Sequence, residues 1–265
     1  MGILEDLKRS GHTFKKGLGQ NFIIDEGYLA AIVAELGLGK NDTVVEVGTG
    51  AGTLTRVLAR VVGWVATYEI DKRLEPVLEK QFAGFDNIEL RFEDALNHSV
   101  TPMRSIAYKL VANVPYYITT PLLTKFMNDP NCTEICVLVQ EELANRIVAR
   151  EGGADYGALT VGVGFWGAAQ IIKRVPRTVF VPAPNVDSAF VRIMRHDGAV
   201  GGAGLLKMLF SQRRKTILNA LGSALRKNRE EVEALLKAAN ICPALRPEAI
   251  SIQQYKTLFD KIQGN

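Results

Sequence analysis

Five consecutive residues, Asn113-Val114-Pro115-Tyr116-Tyr117, bring a carboxamide, a proline-stiffened backbone and aromatic rings into one short stretch. These groups suit an amino nitrogen conjugated to an aromatic ring, of the kind adenine carries, whose delocalised lone pair is a poor nucleophile. The Asn113 carboxamide oxygen and a backbone carbonyl beside Pro115 can accept the two amino hydrogens, localise the lone pair and aim it. Proline fixes the backbone and, lacking an N–H, leaves carbonyls turned outward. The Tyr116 ring offers a face on which an extruded base can stack. In-line attack on an already activated methyl group then needs proximity and orientation, not a strong general base.

A second constellation lies upstream. VVEVGTGAGTLT, residues 44–55, places Gly48, Gly50 and Gly52 between a short apolar run and a helical stretch. Glycines there let the backbone turn sharply and approach a ligand, while the helix N-terminus offers free N–H groups. Glu69 follows about 20 residues on, where a carboxylate can accept from both ribose hydroxyls. The spacing is G-x-G-x-G, not the G-x-G-x-x-G of a pyrophosphate site, which favours S-adenosyl-L-methionine over a dinucleotide. Glu46 is an acid inside a run that should be buried, where an unpaired charge is costly; it is expected to hold the glycine loop through backbone N–H groups. Asp94 and Ala95 are placed for an adenine ring, the carboxylate accepting from the amino group and the next N–H donating to a ring nitrogen. The alternative is that Asp94 caps the following turn.

These residues need a scaffold that delivers them to one edge. Short apolar runs at Thr43–Val47, Val65–Ile70, Ile88–Phe92, Tyr108–Ala112 and Ile135–Gln140 alternate with helical stretches at Tyr28–Leu36, Leu54–Val61 and through Leu78–Lys80. That alternation predicts an α/β, Rossmann-like, mostly parallel sheet with helices on both faces. Gly157–Phe165 and Ile171–Val175 read as two further strands, and Phe190–Met194 as a final antiparallel one. DGAVGGAG, residues 197–204, has no apolar periodicity and reads as a linker. Helical segments follow at Leu205–Leu221, Glu230–Ala239 and Ile252–Ile262. The expected organisation is a catalytic domain over 1–197, with a basic N-terminal arm over 1–20, and a small all-helical domain over 204–265.

Of the 265 residues, 47% are hydrophobic and 23% charged, and no apolar run is long enough for a membrane span. The polar, basic N-terminus lacks the core of a secretory signal. Cys132, Cys136 and Cys242 contain no C-x-x-C pair, so a disulfide framework or zinc site is not expected and a reducing cytoplasm fits. His12, His98 and His196 share no metal-ligand spacing, and no metal is expected. Net charge is only +4, but Leu205–Arg229 holds Lys207, Arg213, Arg214, Lys215, Arg226, Lys227 and Arg229 and no acid. A one-sided run of this kind reads as phosphate binding, the alternative being a solvated face.

Along nearly its whole length the chain resembles the KsgA family of small-subunit ribosomal RNA adenine dimethyltransferases, relatives of the macrolide-resistance methylases. The matching segments are FKKGLGQNFIID (14–25), VVEVGTGAGTLT (44–55), YEID (68–71), EDAL (93–96), VANVPYYITTPLL (111–123), VQEELANRI (139–147), DYGALT (155–160), VFVPAPNVDSAFVRI (179–193) and FSQRRKTI (210–217). The resemblance implies a cofactor site at Asn21, Ile23, Gly48, Glu69, Asp94 and Asn113, and Phe180 stacking on the target adenine's other face. It also implies that Arg213, Arg214 and Lys215 clamp ribosomal RNA phosphates, giving affinity and register but not base identity. The expected reaction is dimethylation of the 6-amino group of two adjacent adenines in the 3′-terminal hairpin of small-subunit RNA. The expected partner is the immature small subunit, met by a monomer with a role in ribosome assembly. Thr49, Val114 and Ile23 depart from the usual proline, leucine and leucine without removing a polar group. The competing readings are a large-subunit methylase, an assembly or transcription factor of the same fold with catalysis secondary, and a small-molecule or DNA methyltransferase.

Overall fold

The computed structural model describes residues 21–197, 203–212 and 214–263. The expected basic arm over 1–20, part of the expected linker and Arg213 lie outside the described residues. The first half runs β1 (Phe22–Ile23), α1 (Glu26–Glu35), β2 (Thr43–Val47), α2 (Thr53–Val61), β3 (Trp64–Tyr68), α3 (Glu75–Phe82), β4 (Ile88–Arg91), β5 (Tyr108–Ala112), α4 (Thr119–Met127) and β6 (Cys132–Gln140). The second half runs α5 (Glu141–Ile147), α6 (Ala158–Trp166), β7 (Gly167–Val175), β8 (Phe180–Val181), β9 (Ser188–Arg195), α7 (Ala203–Phe210), α8 (Ile217–Leu225), α9 (Arg229–Ala238) and α10 (Ile252–Gln263).

The main sheet has the order β4-β3-β2-β5-β6-β9-β7. Strands β2 to β6 pair in parallel, and β9 runs antiparallel to β6. Every residue of β2 is buried, as expected of a central parallel strand covered on both faces. Register decides where the chemistry lands. Val47, the last residue of β2, lies opposite Tyr68 of β3 and Ala112 of β5, so Gly48, Glu69 and Asn113 leave the sheet side by side. The chain turns from β2 to β3 on one side and reaches β5 on the other, and such a switch in direction opens a crevice at the strand ends.

The described residues form two compact units, one comprising those up to Ala144 with Gln170–Met194, the other Asn145–Ala169 with those from Arg195 onward. The boundary expected at 197 therefore misplaces Asn145–Ala169, which groups with the C-terminal helices. The stretch 157–165, read as a strand, forms helix α6 instead. Valine, threonine and glycine give it weak helix propensity, but packing overrides that. Tyr156, Val161 and Phe165 join Leu209, Leu221, Leu236, Tyr255 and Phe259 in one apolar core. A Cβ at Gly164 would stand 2.6 Å from the Ile252 Cδ1, so glycine permits the close approach of α6 and α10. The helix expected over Leu205–Leu221 is also divided, into α7 and α8.

Candidate active site

The glycine loop follows from backbone geometry. Gly48, Gly50 and Gly52 all have positive φ, at 81°, 54° and 74°, in a region that strains other residues. A Cβ at Gly50 would fall 2.6 Å from the Phe22 ring, and one at Gly48 would crowd the Val114 side chain and the Asn113 carbonyl. The loop is held from the next strand: Gly50 N–H donates to the Glu69 Oε2 at 2.7 Å, and Asp71 N–H donates to Oε1 at 2.8 Å. Burial pushes the Glu69 carboxyl up from its ordinary value, and these backbone donors act against that push. Glu69 also lines the cavity.

Glu46 is fully buried, as expected, but it does not hold the loop through backbone N–H groups. Its Oε2 accepts from the Thr55 hydroxyl at 2.6 Å and the Thr67 hydroxyl at 2.7 Å. Burial drives its pKa up to about 8 against those two hydrogen bonds, with the nearby Glu69 carboxylate adding to the rise. Glu46 thus ties β2 to α2 and β3, and it is absent from the lining of the main cavity.

That cavity, about 260 Å³, is lined by Asn21, Gly48, Gly50, Glu69, Asp94, Ala95, Asn113, Pro115, Tyr116 and Phe180 among others. Ile23 is not part of it. Its side chain is buried in the core, and its strand β1 pairs antiparallel with β8, Ile23 opposite Phe180. Phe180 is both buried core and cavity wall. Asp94 serves the turn and the cavity together: its Oδ1 accepts from Leu96 N–H at 2.9 Å while the residue lines the site. The capping alternative is therefore present without displacing the residue from the cavity.

The turn after β5 separates the roles of its residues. The Asn113 carboxamide makes no hydrogen bond to any described residue, although it lines the cavity. The Pro115 carbonyl is engaged, accepting from Ile118 N–H at 3.1 Å to close a one-turn 3₁₀ helix over Tyr116–Ile118. The neighbouring Val114 carbonyl has no donor among the described residues, which makes Val114 the carbonyl beside Pro115 that remains available. The Tyr116 hydroxyl meets the Ser188 hydroxyl at 2.7 Å. Burial raises the phenol's pKa and keeps it neutral. Ser188 carried no signal beyond its place in the VDSAFV segment.

Residues 11–264 match the family model for ribosomal RNA adenine dimethylase. The chain belongs to that family. Ribosomal RNA small subunit methyltransferase A of Lysinibacillus sphaericus (strain C3-41) is 40% identical over 277 residues, 97% of this chain and 94% of the relative. Its counterpart in Clostridioides difficile (strain 630) is 37% identical over 271 residues, 97% of this chain and 94% of that protein. Among solved structures, the 23S rRNA methyltransferase ErmE is 29% identical with a TM-score of 0.73, covering 91% of this chain and 99% of that one. A dimethyladenosine transferase from Plasmodium falciparum, 24% identical with a TM-score of 0.78 over 91% of this chain and 96% of that one, shares the fold.

As a member of this methyltransferase family the protein uses S-adenosyl-L-methionine. The residues fit it. The glycine loop at Gly48 and Gly50, the Glu69 and Asp94 carboxylates and largely apolar walls meet in one cavity at the strand ends. The expected RNA clamp lies in the helical unit: Arg214 and Lys215 are exposed between α7 and α8, while Arg213 falls outside the described residues.

Proposed function

We propose that the protein dimethylates the 6-amino group of two adjacent adenines in the 3′-terminal hairpin of small-subunit ribosomal RNA. The observation that carries this reading is the uncommitted pair of acceptors, the Asn113 carboxamide and the Val114 carbonyl, beside a cavity suited to adenosylmethionine. When bound, adenosylmethionine supplies an electrophilic methyl group. The chain's own residues supply orientation. The Asn113 oxygen and the Val114 carbonyl accept the two amine hydrogens and turn the nitrogen lone pair toward the methyl carbon. Tyr116 and Phe180 hold the flipped base between their rings. Glu69 takes the ribose hydroxyls, and Asp94 with the Ala95 N–H takes the cofactor's adenine. Arg213, Arg214 and Lys215 bind RNA phosphates and fix register.

The small subunit is favoured over the large because the curated relatives named for the small subunit are 36–40% identical over almost the whole chain, above the 29% shared with ErmE. Among the described residues no helix is long and apolar enough to cross a membrane. A cytoplasmic monomer acting on the immature small subunit, with a part in ribosome assembly, completes the proposal. The experiment is methyl transfer from labelled adenosylmethionine to small subunits lacking the modification, with large subunits as control, followed by nucleoside analysis. Dimethyladenosine from small-subunit RNA alone is the expected result, and label in large-subunit RNA would overturn the substrate assignment.

A further inference from the structure

Tyr116 and Tyr117 are adjacent in one turn yet placed very differently. Tyr117 is 65% exposed and its hydroxyl has no partner among the described residues. Tyr116 is half-buried against the cavity, its hydroxyl 2.7 Å from the Ser188 Oγ. No residue of their 3₁₀ turn is fully buried. The other end of the hydrogen bond is fixed. Ser188 has 0% exposure and lies opposite Gln140 in the β6–β9 ladder. The preceding Asp187 carbonyl accepts from Glu141 N–H at 3.0 Å, which pins the backbone on that side too. A buried serine hydroxyl is costly to leave unpaired, and the Tyr116 hydroxyl is its sole side-chain partner among the described residues.

We infer that Ser188 is a positioning residue whose hydroxyl sets the plane of the Tyr116 ring against the target base. The inference rests on the stacking role given to Tyr116 under Proposed function. The sheet supplies a rigid reference, and the hydroxyl pair transmits it to the Tyr116 ring. A ring off its plane still lets RNA and cofactor bind, but it presents the amino nitrogen off the line of attack, so turnover suffers more than affinity.

The test compares Ser188→Ala, Tyr116→Phe, the double variant and Tyr116→Ala in methyl transfer to unmodified small subunits, with adenosylmethionine affinity measured by calorimetry. Ser188→Ala and Tyr116→Phe should each lower kcat about tenfold, with KM for the subunit and cofactor affinity within about twofold of wild type. The double variant should be no slower than the slower single, since both changes remove one bond. Wild-type kcat in Ser188→Ala, or losses that multiply in the double variant, would overturn the inference. Should Ser188→Ala fail to fold, Tyr116→Phe removes the same bond from the less buried side, and wild-type kcat there is equally fatal. Full activity in Tyr116→Ala would remove the stacking role itself, whereas a crippled Tyr116→Ala beside an unaffected Ser188→Ala would remove only the part given to Ser188.

Discussion

The strand-end cavity and the basic segment after α7 are both read as functional, but they are built by different rules. In the cavity each position answers to a local constraint. Gly50 has positive φ with an aromatic ring where a Cβ would go, Glu69 is clasped by two backbone N–H groups, and Asn113 leaves β5 level with Gly48. The segment carrying Arg214 and Lys215 is an exposed connection whose charges make no ion pair among the described residues. Geometry that admits one residue type concentrates function into few side chains. A charged surface spreads it over many, each contributing little.

Three variants sharpen that contrast, beginning with the largest effect. Gly50→Ala places a methyl group against the Phe22 ring on a backbone that disfavours it, so adenosylmethionine affinity should fall by more than about tenfold. Calorimetry showing native affinity would mean that the loop yields and that its geometry is no constraint. The Arg214→Glu, Lys215→Glu double variant should leave cofactor binding alone and weaken RNA binding at physiological salt. The slope of log affinity against log salt should become shallower by about two. An unchanged slope would make this face a solvated one.

The smallest effect concerns Glu46. A carboxyl whose folded pKa is raised stabilises the fold fully below its ordinary value of 4.5, and that contribution is lost as pH rises through about 8. Glu46→Gln removes the titration, so the variant's Tm should gain on the wild type's as pH climbs from 4.5 to 8. A difference independent of pH would show that Glu46 does not titrate in that window.

The same contrast explains what could be read in advance. The parallel core was legible because each strand is a short apolar run, and the site because glycines, acids and Asn113 fall at the ends of those runs. Partners from distant segments were not legible. Nothing in the sequence around Glu46 names Thr55 and Thr67 as its donors, and nothing beside Tyr116 names Ser188. Strands β1 and β8, two residues each, are too short for any periodicity, so the pairing that draws Ile23 into the core beside Phe180 appears only in three dimensions. Residues 157–165 misled for a related reason: Gly164 is there for the Ile252 side chain of α10, a contact that local propensity cannot register.

The most direct test of the account is single-turnover methyl transfer by Asn113→Ala at saturating adenosylmethionine, on small subunits lacking the modification, with Tm as the control for folding. Among the described residues the carboxamide has no hydrogen bond to lose, so the variant should melt within a few degrees of wild type and transfer about a thousandfold more slowly or not at all. Transfer at the wild-type rate would mean that the amine is oriented by something other than the acceptor at the end of β5.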